Sequence, residues 1–466
     1  MKQLKTFIDK HKIQMVDDLI KCIQIPSIST IDSYKEDVLY CAQHLSQLLF
    51  QIGFENVQLL KCKGHPAVYA DWLHAKGKPT VLIYGHYDVQ PVDPLEEWHS
   101  HPFQPEIRDD YLYGRGATDN KGQLFMQIKA LETLFHTNQT LPINVKLLIE
   151  GEEEIGSSSM PEILQDFSEL LIADLIVISD TAMLEEQVPA ICYGLRGLLG
   201  FELCVQGPNR DLHSGSIYGG TVQNPIHAIA QLLSSMKDET GFITIEGFYD
   251  NVVELSEEER KNLYSLPFSS EKLKEDLNVS NLFGEEGFTP LERVWARPTL
   301  EVNRISGGYQ EEGIKTIIPA KVTAKITCRI VPNQSPHDLK TYIQKHIESN
   351  TPPGVNIEIC WDQHSNPYFI SPDHPLILQA AQSLECVFQK PVQFIRAGGS
   401  IPAVEMLHNQ FQIPIILIGF SHSSANVHSA NENLSLQKFE NGILSLCHYY
   451  LQLGNEINIT KHEIKM

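Results

Sequence analysis

The sequence has no Cys-x-x-C pair. Its nine cysteines are odd in number and far apart, at Cys22, Cys41, Cys62, Cys192, Cys204, Cys328, Cys360, Cys386 and Cys447. That argues against a disulfide framework or a thiolate zinc site, and it fits a reducing compartment with the thiols acting as buried small hydrophobes. No apolar run approaches the roughly 20 residues of a bilayer span. The opening segment MKQLKTFIDKHKIQ lacks an apolar core and a small-residue cleavage site, so no signal peptide is read and a cytoplasmic location is expected. Basic residues are also scarce: 36 Lys and Arg stand against 58 Asp and Glu, a net charge of −22. Neither nucleic acid nor a membrane is therefore expected as a partner. Nor is there a Gly-x-Ser-x-Gly nucleophile turn.

What is present is ample apolar material, 42% of 466 residues, which is too long a chain for one ordinary core and implies two domains. Apolar spacing predicts helices over 5–24, 34–52, 122–136 and 159–171. Short apolar runs predict buried strands at Val81–Tyr84, Val145–Ile149, Leu175–Ile178 and Ile413–Phe420. Strands alternating with helices give an α/β domain with a mainly parallel sheet and helices on both faces. From about Leu198 the pattern changes to strand–helix–strand–strand–helix–strand, the sign of an inserted α+β two-layer sandwich. The boundaries read as 1–197 and 369–466 for the split α/β domain, with 198–368 as the insert. The charged stretch from Glu254 to Asp276 reads as solvated helix and loop.

In open α/β sheets ligands bind beyond the carboxyl ends of the strands. Here those ends carry metal-ligand residue types: Gly85-His86-Tyr87-Asp88, Glu150-Gly151-Glu152-Glu153-Glu154, Ser179-Asp180, and a last loop with His422 and His428. A Gly-rich loop adds Asp119. Each has an ordinary reading alone, as a polar loop, a helix start or a cap, but together they converge on one rim. Imidazole with carboxylate suits zinc, with manganese or cobalt as alternatives. So many ligands suit two ions about 3.5–4 Å apart rather than one. Asp88, two residues beyond His86, can hydrogen-bond that ring.

The segments GHYDVQPV, GRGATDNKGQ, EGEEEIGS, SDTAML and NVHSANE, in this order over nearly the whole chain, resemble the dizinc M20 metallopeptidases. That family includes carboxypeptidases, acylamino-acid deacylases and carnosinase-type dipeptidases. EEWHSHPF, DLHSG, KTIIPAKV, CRIVPN and RAGGSIP are most similar to its cytosolic dipeptidase branch. The resemblance implies that His86 and Glu154 ligate one metal, Asp180 and His428 the other, and Asp119 bridges both. It implies Glu153 as general base and Asp88 as brace to His86. It also implies a homodimer through the insert, with His213 reaching the partner's site to polarise the carbonyl. Arg329, Thr316, Gly399 and Ser400 would hold the substrate, with Arg396 behind them, and the Asp119–Asn120 peptide would be cis. Glu152 and His422 receive no ligand role. The function implied is hydrolysis of dipeptides by a two-zinc centre. A carboxypeptidase or N-acyl amino acid deacylase with the same centre is the alternative.

Overall fold

Four short apolar runs supply the centre of the main sheet. In the computed structural model, which describes residues 1–422 and 424–455, they are β1 (Thr80–His86), β2 (Asn144–Glu150), β3 (Leu175–Ile178) and β4 (Ile415–Gly419). They lie in the order β2-β1-β3-β4 and all pair in parallel. Being covered on both faces, they are continuous apolar runs rather than alternating ones. Antiparallel strands flank this centre: Ala67–Trp72 and then Glu55–Leu60 beside β2, and Ala190–Leu195 beside β4. The flanking pair over residues 55–72 was not anticipated, because its polar and charged residues mask the strand period.

Two helices brace the rim. The helix α1 spans Lys2–Ile23, and α2 spans Lys121–Asn138. The sequence suggests one apolar face for α2, but the helix is buried nearly all round, packed between α1 and the C-terminal helix Leu436–Asn455. Its polar residues are accommodated by specific bonds. Lys121 Nζ donates to the carbonyls of Cys22 (2.9 Å) and Ile25 (2.8 Å) at the end of α1, and Lys129 Nζ sits 2.7 Å from both Asp18 and Glu132. These bonds satisfy carbonyls that a helix end leaves open and pair a charge that burial would otherwise penalise.

The chain divides into two compact units. Unit 1 comprises Met1–Tyr193, Ile370–Ile395 and the chain from Ile401; unit 2 comprises Gly194–Phe369 with Arg396–Ser400. Residues 396–400, which the sequence reading assigns to the catalytic domain, group with unit 2. There Arg196 Nε donates to Gly398 O (2.9 Å), and Arg329 Nη1 reaches Ser400 Oγ (3.4 Å).

Unit 2 is built on a four-stranded antiparallel sheet in the order Thr299–Gly307, Lys321–Ile330, Gly197–Gln206, Asn356–Ser365. Val322, Ala324, Ile326, Cys328 and Ile330 alternate onto one face and pack against the helices Pro225–Ser235 and Pro336–Asn350. Thr323, Lys325, Thr327 and Arg329 take the other face. The charged stretch beyond Glu254 forms the helices Glu257–Ser265 and Ser270–Leu277. It is not merely solvated, since Glu259 pairs with Arg396 and Glu254 with Arg297. The cysteines also depart in part from expectation. All nine are free, and only Cys22, Cys41, Cys192, Cys328 and Cys447 are buried; Cys62 and Cys204 are intermediate, and Cys360 and Cys386 are exposed. Among the described residues no helix is long and apolar enough to cross a membrane.

Candidate metal centre

The parallel strands of unit 1 end side by side, so the residues just beyond them share one rim. His86 closes β1 and is fully buried, while Asp180 follows β3, the strand paired to β1. Their side chains approach to 3.7 Å between His86 Nε2 and Asp180 Oδ2, with Asp119 Oδ1 3.3 Å from the same nitrogen. On the far side of Asp119, Oδ2 lies 2.9 Å from His428 Nε2, which is also 3.3 Å from Glu154 Oε2. Two three-residue groups result, His86–Asp119–Asp180 and Asp119–Glu154–His428, each with ligand atoms within 4.8 Å of one another. They share Asp119.

This arrangement corrects the partition implied by the resemblance. Glu154 stands with His428, and Asp180 with His86. Both β2 and β3 flank β1, but Asp180 stands only two residues beyond the end of β3 and reaches the His86 ring. Glu154 instead lies in a short 3-10 turn beyond β2, across Asp119.

Asp88 organises both sides. Its Oδ1 is 3.3 Å from His86 Nδ1, and its carbonyl is 3.1 Å from that nitrogen. Its carboxylate also accepts the backbone N–H groups of Glu153 (3.2 Å) and Glu154 (3.1 Å) and the Ser29 hydroxyl (2.7 Å). One buried carboxylate thus orients the ring and positions the acidic turn. Glu152, beside that turn, accepts N–H groups from His65 and Ser159 (both 2.8 Å), which is a structural use.

Several contributors carried no role in the sequence reading. Asn120 Nδ2 donates to Ser179 O (2.7 Å) and Asp180 Oδ1 (2.8 Å), tying the loop of Asp119 to the end of β3. The Asp119–Asn120 peptide is cis. Gln90 Nε2 donates to Glu154 Oε2 (2.8 Å). Fully buried Glu432 accepts Arg115 Nη1 at 2.8 Å and the backbone N–H groups of Gly116, Thr118 and Asp119, each at 2.9 Å. Burial pushes its pKa up, and Arg115 opposes that. The sequence signal was available: Glu432 closes the NVHSANE segment that carries His428. Asn431, its neighbour, anchors the same loop through Glu97 O (2.9 Å) and His99 N–H (2.8 Å). His422 stands apart from both ligand groups, bonded to Ser424 Oγ at 2.7 Å.

The electrostatics call for cations. Burial opposes charge on the His86 ring, yet Asp119, Asp88, Asp180 and Glu153 surround it and hold its pKa well above the usual histidine value. Asp119 and then Glu154 raise His428 to about 10. Burial and neighbouring acids push Asp180 upward, and they raise Glu153 to about 7 despite His86. Burial would also raise Asp119, but hydrogen bonds from His428 and His86 keep it low. Five carboxylates and two imidazoles thus crowd one rim, where protons on the rings occupy the positions of positive charge. His86 Nε2 is buried without a well-formed hydrogen bond. An orphaned ring nitrogen facing carboxylates, and a carboxylate shared between two triads, fit a pair of divalent cations bridged by Asp119.

The substrate-side residues all lie in unit 2 and fall into two sets. Arg329 and Ser400 meet at 3.4 Å, with Gly399 beside them facing open space. His213 and Thr316 are instead exposed at a short ribbon, where Leu212–His213 pairs with Ile317–Ile318 and Ser214 N–H donates to Thr316 O (2.9 Å). Arg396 pairs with Glu259.

A parallel α/β sheet with this donor set at its carboxyl rim defines a metallohydrolase. The chain belongs to Peptidase family M20/M25/M40, whose profile matches residues 82–452. It is 31% identical over 468 residues to the Cys-Gly metallodipeptidase dug1 of Schizosaccharomyces pombe, covering 97% of this chain and 98% of the relative. It is 31% identical over 396 residues to the human Beta-Ala-His dipeptidase, covering 84% and 78%. Among solved structures, the M20 family metallo-carboxypeptidase Sso-CP2 of Sulfolobus solfataricus superposes with a TM-score of 0.82 at 33% identity, over 94% of this chain and 99% of that one.

Two outcomes are expected. Glu432→Gln removes the charge that pairs buried Arg115, and breaking a buried pair costs about 3–5 kcal/mol. Urea unfolding should register that loss, and zinc affinity should fall about 10- to 100-fold as Asp119 loses its support; unchanged stability would contradict the role given to Glu432. The second concerns pH. The folded pKa of His428 lies above its unfolded value of about 6.5. Its contribution to the cation-free fold is therefore complete below pH 6.5 and lost as pH rises through about 10. Thermal midpoints of chelator-treated protein should fall across that window, and His428→Gln should flatten the fall. An identical slope in the variant would refute it.

Proposed function

We propose that the chain is a two-zinc dipeptidase acting in the cytoplasm as a homodimer. The observation that carries this reading is the pair of ligand triads sharing Asp119, with Glu153 beside Glu154. In this reading His86, Asp119 and Asp180 hold one cation, and Asp119, Glu154 and His428 hold the other. Cations held by these residues would supply Lewis-acid chemistry, polarising the scissile carbonyl and lowering the pKa of a water towards neutrality. The mixed imidazole–carboxylate set favours zinc, with manganese or cobalt able to substitute.

Glu153 is the general base. It takes a proton from the attacking water and delivers it to the leaving amine, a task suited to a carboxyl whose pKa is raised to about 7 in the cation-free site. Asp88 keeps the His86 ring oriented and the Glu153–Glu154 turn in position. Arg329 grips the substrate carboxylate, its fork matching two oxygens, with Ser400 and Gly399 beside it. His213 polarises the carbonyl in the site of the other subunit, and Thr316 hydrogen-bonds the substrate. The exposure of both residues supports a role across a dimer made by unit 2, the proposed dimerisation or lid insert. A carboxypeptidase or N-acyl amino acid deacylase is the second reading. It is favoured by the 33% identity to the Sulfolobus metallo-carboxypeptidase; the dipeptidase names of the two relatives above favour the first.

Glu153→Ala should retain two metal ions per chain by elemental analysis yet lose about 10²- to 10⁴-fold in dipeptide hydrolysis. Activity near wild type would overturn the mechanism. Mixing inactive His213→Ala with inactive Glu153→Ala chains should restore part of the activity. Verified heterodimers without recovery would dismiss the shared site.

A further inference from the structure

A cavity of about 400 Å³ opens in unit 2, and its lining is strongly basic for a chain of net charge −22. Arg196, Lys237, Arg293, Arg297 and Arg329 face it, against Glu285 and Glu301. Two of the cations are already neutralised: Arg297 Nη2 lies 2.6 Å from Glu285, and Lys237 Nζ lies 3.1 Å from Glu301. Among the described residues, Arg196, Arg293 and Arg329 make no ion pair. The lining is thus left with three uncompensated guanidinium groups.

Arg196 is the most constrained of them. It is 8% exposed, its Nε donates to Gly398 O at 2.9 Å, and its Nη1 is buried with no hydrogen-bond partner. A Cβ at Gly398 would sit 3.2 Å from Arg196 Nη2, so the close approach of this backbone suits glycine. Arg329 stands near enough for its charge, together with burial, to pull the Arg196 pKa down to about 10. Two like charges brought together out of water, one with an open donor, cost stability unless an anion completes them.

We propose that Arg196 is the second half of a two-guanidinium clamp, with Arg329, for the carboxylate end of the dipeptide. The inference rests on the dipeptidase reading and names the residue that makes the substrate's free carboxylate obligatory. Arg329, anchored only through Ser400, turns towards the incoming oxygens. Arg196, fixed at Nε by Gly398, offers Nη1 as a preorganised donor and needs little ordering on binding. The clamp discriminates by charge: a C-terminal amide leaves both guanidinium groups unmatched.

The test uses zinc-loaded wild type, Arg196→Met and Arg196→Lys, with the fastest-cleaved dipeptide of an Xaa-Gly panel and the same dipeptide as its C-terminal amide. Wild type is expected to prefer the acid. Arg196→Met should reduce that preference about 10- to 100-fold, with the loss appearing in the KM of the acid rather than in kcat. Arg196→Lys, which keeps the charge without the fork, should fall between the two. If the methionine variant does not fold, an acid-over-amide preference in the lysine variant equal to wild type overturns the clamp. Wild type that cleaves dipeptides, with either folded variant retaining the full preference, also overturns it. Wild type that cleaves no dipeptide in the panel overturns the dipeptidase reading and the clamp with it.

Discussion

The metal centre depends on a carboxylate that belongs to neither ligand group. Glu432 is buried and gathers four donors from residues 115–119: one guanidinium and three backbone N–H groups. A loop with two glycines would otherwise sample many conformations. Held this way, it presents Asp119 with one oxygen towards each triad, and the shared geometry of the site follows. Asp88 does the same work on the opposite side, spending its oxygens on His86 and on the turn of Glu153 and Glu154. The residues that would touch a cation are thus positioned by acids that would not.

Concentrating acids in a dry rim creates its own opposition. Burial, and then repulsion from neighbouring acids, raises the pKa of Glu153 and Asp180, while the acids draw protons onto His86 and His428. Divalent cations and these protons compete for the same lone pairs, so occupation of the site releases protons and strengthens as pH rises. The same field draws metal and poises Glu153 near neutrality. Unit 2 shows the converse arrangement, a basic hollow within an acidic chain.

Much of this was legible from residue order. The four parallel strands stood out because burial on both faces leaves uninterrupted apolar runs, and a metal-type residue after each run locates the rim. The strand–helix–strand–strand–helix–strand order of unit 2 was equally readable. How these side chains group was not, because that depends on how far beyond its strand each one lies, and chain order does not reveal that Asp180 meets His86 while Glu154 lies across Asp119. Glu432 and Asn120 escaped notice for a related reason: each acts on backbone or side-chain groups far off in sequence, and no local period marks such a bond. The two-sided burial of α2 was hidden by Lys121 and Lys129, polar residues bonded to Cys22, Ile25 and Asp18 on or just beyond α1.

The insertion of unit 2 also sets an order of assembly. Glu432 bonds to the N–H of a residue 313 positions earlier, and the whole sandwich is encoded between them. At about 5–20 residues per second, roughly 15–60 s of synthesis separate Asp119 from the carboxylate that holds its loop. Strand β4, which completes the parallel centre, also emerges only after the insert. The sandwich, whose four strands all lie between Gly197 and Ser365, can fold during that interval, whereas unit 1 cannot close. For this topology the nascent chain carries an unclosed acidic rim until the segment that ends in Glu432 has been made.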